Sequence, residues 1–158
     1  MKKRCFFENA ILLSERFGIV PLMYGSVGLE YITNEDLNSD DVDVLIPNAY
    51  LSEKWDEFRD ALTGEDYALT DEHEHTFQKN GVCYSYASFE ELESFAKINP
   101  SDIEYKSDFG VPFKVLSLEQ YLKVYTASSK DGYRVNVRKK KDAEKISFIQ
   151  KYLSSSKL

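Results

Sequence analysis

Apolar residues near the start of the chain recur at helical intervals. Phe6, Ala10, Leu13 and Phe17 fall on one face, which predicts an amphipathic helix that Gly18 stops. The run from Ile19 to Tyr24 then reads as a short buried strand, with Pro21 near its edge or start. Gly25 turns the chain, Val27 to Ile32 has the length of a brief helix, and the polar segment Thr33 to Asp40 loops to a second strand, Val42 to Ile46, ended by Pro47. Leu51, Trp55, Phe58 and Leu62 are spaced as one face of a further helix, with Gly64 as its stop.

Beyond that helix, Glu74 to Gln78 and Val82 to Ala87 flank "KNG" as the strands of a hairpin. Ser88 with Glu91, and Ser117 with Gln120, match the capping box, in which a side chain on each side satisfies the other's backbone N–H; each predicts a helix start. Residues 97 to 112 read as irregular, "FKVLSLEQYLKVYTASSK" as a short strand and then a helix, and the stretch near Asp142 to Leu153 as a last helix with Ile146, Ile149 and Leu153 on one face. The order of helix, strand, turn, strand, helix, hairpin and helical tail is a mixed α/β (α+β) layout without regular βαβ alternation. A core over about 1–115 with a helical C-terminal extension over about 116–158 is expected within one domain of 158 residues.

Composition narrows the chemistry. Eleven Tyr and ten Phe mark a folded chain. A net charge of −7 argues against a surface built to coat polymeric nucleic acid, which needs a surplus of Lys and Arg. Small molecules or proteins are the expected partners. No apolar run is long enough to cross a bilayer, and Glu8 and Asn9 interrupt the stretch after the basic start, so no signal peptide is read there. Two cysteines, Cys5 and Cys83, are too few for a disulfide framework, which places the expectation in the cytoplasm.

The candidate chemistry lies in "LMYGS" and "DDVDVLI". Alternation along a strand points Asp41 and Asp43 to one side and Val42 and Val44 to the other. Two convergent carboxylates suit a hard cation such as Mg²⁺, which fills its remaining positions with water and phosphate oxygens. Gly25 lets a phosphate approach the backbone, a helix beginning there presents free N–H groups, and the Ser26 hydroxyl adds a donor. A calcium loop at Asp36, Asn38 and Asp40 fails, because its sixth position is Asp41 in place of Gly and its twelfth is Pro47 in place of Glu. "GSVGLE" has neither the Gly-Lys pair of a Walker loop nor the spacing of a dinucleotide fingerprint. His73 and His75 have no third ligand at useful spacing and are read as surface residues.

An apolar strand ending in Gly-Ser, followed after fourteen residues by Asp-x-Asp, resembles the signature of the nucleotidyltransferase superfamily, which includes DNA polymerase beta and the aminoglycoside and lincosamide nucleotidyltransferases. The tail, "SLEQYLKVYTASSKDGYR" followed by "KKKDAEKI", is similar to the Lys-rich helical ends of small-molecule members. The resemblance implies a short mixed sheet flanked by helices. It gives Asp41 and Asp43 the metal and catalytic roles, and Gly25 and Ser26 the triphosphate. Lys130 and Arg134 are the cations placed to meet triphosphate charge if they face the cleft. The implied reaction moves a nucleoside monophosphate from a nucleoside triphosphate to a hydroxyl of a small molecule or a protein. The family's third carboxylate has no counterpart at the expected place, where Ser85 stands; Glu72, Glu74, Glu90 and Glu91 are the acids nearby in sequence. That departure admits an alternative, a catalytically degenerate member that binds a nucleotide or a protein partner without transfer.

Overall fold

The computed structural model describes residues 2–130 and 132–156, the side chains of 130–141, 155 and 156 excepted. The protein is a mixed α/β fold. Its elements run α1 (Lys2–Phe17), β1 (Leu22–Tyr24), α2 (Gly25–Thr33), β2 (Asp41–Ile46), α3 (Trp55–Gly64), β3 (Ala68–Asp71), β4 (Thr76–Lys79), β5 (Val82–Ser88), α4 (Glu91–Ala96), β6 (Glu104–Asp108), β7 (Val111–Val115), α5 (Leu118–Lys130) and α6 (Gly132–Ser156). The chain divides into two compact units, one of residues 1–90 with 104–115 and the other of 91–103 with 116–158.

All seven strands belong to the first unit and form a single sheet in the order β3-β4-β5-β2-β1-β7-β6. The sheet is mixed: β2 runs parallel to β5 and β1 parallel to β7, while β1 and β2 are antiparallel. The apolar side chains of α1 (Phe6, Ala10, Leu13) and α3 (Phe58, Leu62) share a core with Val42, Val44 and Ile46 of β2, Tyr84 and Tyr86 of β5, and Phe113 of β7. Aromatic edges close this core, with Phe58 meeting Tyr86 at 5.1 Å and Phe7 meeting Phe113 at 5.1 Å between ring centroids. Because side chains alternate along a strand, the intervening residues Asp41, Asp43, Cys83 and Ser85 project from the opposite face.

Several elements depart from their sequence patterns. Leu51 lies in a 3₁₀ turn, Asn48–Leu51, and α3 begins at Trp55, although Leu51 still packs on the core. Ser88 is no helix cap: it is the last residue of β5, paired with Ile46, and α4 starts at Glu91, so strand pairing has taken the residue the capping box needed. Residues 97 to 112 are not irregular throughout, since they include β6 and the tight turn at Phe109 and Gly110 into β7.

The second unit is helical. Ser117 does cap α5: its hydroxyl accepts from the Gln120 N–H at 3.2 Å, and the Gln120 side chain accepts from the Ser117 N–H at 2.9 Å. Tyr121 and Tyr125 stack along the inner face of α5, and the buried Ser128 hydroxyl donates to Asp142 of α6 at 2.8 Å. The last helix starts at Gly132, ten residues before the predicted Asp142.

Candidate functional site

β1 ends at Tyr24, and Gly25 opens α2 with a backbone φ of +63°. That left-handed geometry is accessible to Gly and costly for other residues, and it lets a strand become a helix within one residue. Tyr24 occupies the N-cap position without a side-chain capping bond. The first N–H groups of α2 therefore depend on other partners, and the helix dipole makes that end attractive to an anion.

The strand register brings the aspartates to this turn. Tyr24 pairs with Asp43 across the antiparallel β1–β2 ladder. The approach is so close that a Cβ placed on Gly25 would lie 2.4 Å from Asp43 Oδ2 and 3.2 Å from its Cβ and Cγ. Asp41 projects from the same face two residues earlier and is exposed, whereas Asp43 is half-buried. Gly25, Ser26, Asp41 and Asp43 are thus gathered at one end of the sheet by three elements, β1, α2 and β2.

The neighbouring strand supplies the rest of the surroundings. In the parallel β2–β5 ladder Asp41 pairs with Cys83 and Asp43 with Ser85. The Ser85 hydroxyl lies 3.4 Å from the Thr76 hydroxyl of β4, so the row beside Asp43 is neutral and hydroxyl-bearing. Burial raises the Cys83 thiol pKa, and the negative charges of Asp41 and Asp43 raise it further against a lowering hydrogen bond with Ser85. Cys83 is a thiol beside carboxylates, not a ready thiolate.

None of the acids weighed as a third carboxylate joins the pair. Glu90 follows β5 at the far end of β2 and accepts the Asn48 N–H with both oxygens, at 3.0 and 3.1 Å. Glu72 accepts from Trp55 Nε1 at 3.1 Å and lies 3.7 Å from Arg59. Glu74 stands exposed in the turn between β3 and β4, not on a strand, and Glu91 opens α4 in the other unit. Among the described residues, no set of three or more His, Cys, Asp and Glu is arranged to hold a metal ion. His73 is almost fully exposed in the same turn as Glu74. Lys130 ends α5 and Arg134 lies in α6, with side chains outside the described residues.

One residue of this site has no sequence signal of its own. Glu30, four residues after Ser26 on α2, is nearly buried, and its carboxylate accepts from the Leu37 N–H at 2.8 Å and from the Ser39 hydroxyl. Only the folded loop between α2 and β2 reveals it.

The donor set fits a hard divalent cation. Two carboxylates on one face, one of them exposed to solvent, match the one or two that Mg²⁺ takes from a protein when phosphate oxygens complete its shell.

Among the described residues, no helix is long and apolar enough to cross a membrane. No family model matches the chain, and no solved structure matches it. The chain is 34% identical over 148 residues to a protein of Bacillus subtilis (strain 168) named "Uncharacterized protein YnaI", a match covering 94% of this chain and 95% of that one. Identity at that level across nearly the whole of both proteins makes the chain a member of the same family as YnaI.

Proposed function

We propose that this protein is a Mg²⁺-dependent nucleotidyltransferase of the polymerase beta-like kind. It would move a nucleoside monophosphate from a nucleoside triphosphate to a hydroxyl on a small molecule or a protein. The observation that carries the reading is the contact between the Gly25 turn and the Asp43 carboxylate, with Asp41 beside it on the same strand. In this reading Asp41 and Asp43 hold the ion, which supplies neutralising charge for the phosphate oxygens when bound. Gly25 and Ser26 open α2, to which the Tyr24 side chain gives no capping bond, and would present backbone N–H groups and the Ser26 hydroxyl to the polyanion. Holding the triphosphate in this way exposes its α-phosphorus to an acceptor hydroxyl in line with the leaving pyrophosphate. The two free cysteines fit a reducing compartment, and we place the protein in the cytoplasm.

The hydroxyl of Ser85 beside Asp43 favours a second reading, nucleotide binding without transfer, because no carboxylate stands there to take the acceptor's proton. One series of measurements separates the two. Mg²⁺ with one of the four nucleoside triphosphates is expected to raise the melting temperature, and Asp41→Asn with Asp43→Asn to abolish the rise. No rise with any triphosphate overturns both readings. Pyrophosphate released in the presence of hydroxyl acceptors supports transfer; binding without release supports the second reading.

A further inference from the structure

The segment between α2 and β2 is polar and would pass in sequence for a slack connection, yet it is fastened at nearly every residue. The Asn34 N–H closes α2 on the Glu30 carbonyl at 2.8 Å, with Asn34 in the left-handed region. The Glu35 N–H reaches the Thr33 hydroxyl at 3.3 Å, and the Asn38 N–H reaches Asp36 Oδ1 at 2.9 Å. At the centre stands the Glu30 carboxylate, 9% exposed, one oxygen on the Leu37 N–H and the other on the Ser39 hydroxyl.

A carboxylate so far from water is costly unless its lone pairs are used, and here both oxygens accept hydrogen bonds from the loop. The placement gives that expense a purpose. Glu30 is carried by α2, the helix whose first residue is the Gly25 turn. The groups it holds lie four and two residues before Asp41. One rigid helix therefore grips both halves of the candidate site, the phosphate-facing turn at its start and the approach to the aspartate pair near its end.

The geometry points to Glu30 as a positioning residue that fixes Asp41 and Asp43 against the Gly25–Ser26 turn. The link to ligand binding rests on the nucleotidyltransferase reading; the mechanical link does not. Groups hydrogen-bonded to a metal ligand are worth about 10–100-fold in affinity; Glu30 holds the residues leading into Asp41 and not the ligand itself, so its loss is expected to weaken binding by up to about 10-fold.

The test uses the full chain and two measurements. Backbone amide exchange is followed at Val42, Asp43 and Val44, with Phe113 of β7 as internal reference, and the affinity for Mg²⁺ with ATP, or whichever triphosphate binds, is measured in parallel. Glu30→Ala removes both acceptors and is expected to speed exchange at the β2 amides by about tenfold relative to Phe113, the factor that one lost hydrogen bond of ordinary strength produces. Glu30→Gln, whose amide can accept from Leu37 and donate to Ser39, is expected to restore most of the protection and most of the affinity. Leu62→Val, a core truncation in α3, supplies a variant of comparable stability loss with Glu30 intact and is expected to leave both readouts near wild type. Should Glu30→Ala fail to fold, Ser39→Ala removes one of the two fastenings and is read against the same criteria. Exchange at β2 no faster in the Glu30 or Ser39 variant than in Leu62→Val overturns the inference. A wild-type protein that binds no triphosphate overturns the functional reading alone, and the exchange measurement still decides the role of Glu30.

Discussion

Gly25→Ala reads out the tightness of the approach between Gly25 and Asp43. Two costs add. An L-residue at φ +63° pays about 1–2 kcal/mol for the left-handed backbone. The added methyl would lie 2.4 Å from Asp43 Oδ2, so the strand or the turn must move, a strain of the kind that costs about 1–3 kcal/mol in an overpacked core. The sum is about 2–5 kcal/mol, or about 4–20 °C in melting temperature at 2–4 °C per kcal/mol for a chain of this size. Gly18 supplies the control, because its φ is +67° and nothing lies within 4 Å of an added Cβ; Gly18→Ala should show the backbone cost alone. Asp43→Ala completes a double-mutant cycle. It removes the oxygen that collides, so the penalty of Gly25→Ala should fall toward that of Gly18→Ala, with a coupling of about 1–3 kcal/mol. Urea denaturation of the four variants measures it. Equal penalties for Gly25→Ala and Gly18→Ala, unchanged when Asp43 is truncated, would refute the packing of the turn against the aspartate and with it the geometry of the proposed site.

Two further outcomes follow from the electrostatics. Asp41→Asn removes one of the negative charges that raise the Cys83 thiol pKa, so the pH midpoint for alkylation of Cys83 should fall, measured against Cys5→Ser background to isolate the signal; an unmoved midpoint would mean that Asp41 does not face the thiol. Burial raises the pKa of Tyr67, Tyr84 and Tyr86 above 10.0, so above that pH the folded state keeps phenolic protons that the unfolded chain has released. Their contribution to stability is complete below pH 10 and declines as pH rises, and tyrosinate absorbance should appear in two steps, the second coinciding with unfolding; a single step without unfolding would refute the burial of the three phenols.

The sequence was legible where one face of an element is buried and the other is not. Phe6, Ala10 and Leu13 mark α1, and Val42, Val44 and Ile46 mark β2, because each set packs into the same core. The edge strands gave no such sign. β6 reads "EYKSD" and is exposed along most of its length, and β3 likewise has little buried, so neither carries the alternation that a half-buried strand shows. The two capping boxes show the same limit from another side: Ser117 is free to cap, while Ser88 is claimed by the ladder with Ile46, a long-range pairing that no local pattern contains. The aspartates and the Gly-Ser turn could be picked out one by one, but not their contact. That depends on the register of β1 against β2, and on Glu30, whose partners appear only once the loop is folded.

The charge of the aspartate pair turns out to be the weaker part of the case for an ion site. Two residues two positions apart on a strand have α-carbons ~7 Å apart, and unit charges at that spacing repel by about 0.6 kcal/mol in water and about 2.4 kcal/mol at an effective dielectric of 20. With Asp41 exposed and Asp43 only half-buried, the true figure lies toward the lower end, and the fold can bear it without a cation. A strand beginning with two acids is therefore no evidence of a ligand by itself. What sets this pair apart is its neighbour. A glycine held in a left-handed turn, tight enough against Asp43 that no side chain could stand there, brings that carboxylate to the start of a helix that the Tyr24 side chain does not cap. The missing methyl group is what lets the Asp43 carboxylate lie directly on the turn, and this contact, more than the acidity beside it, makes the end of the sheet a binding site to be tested.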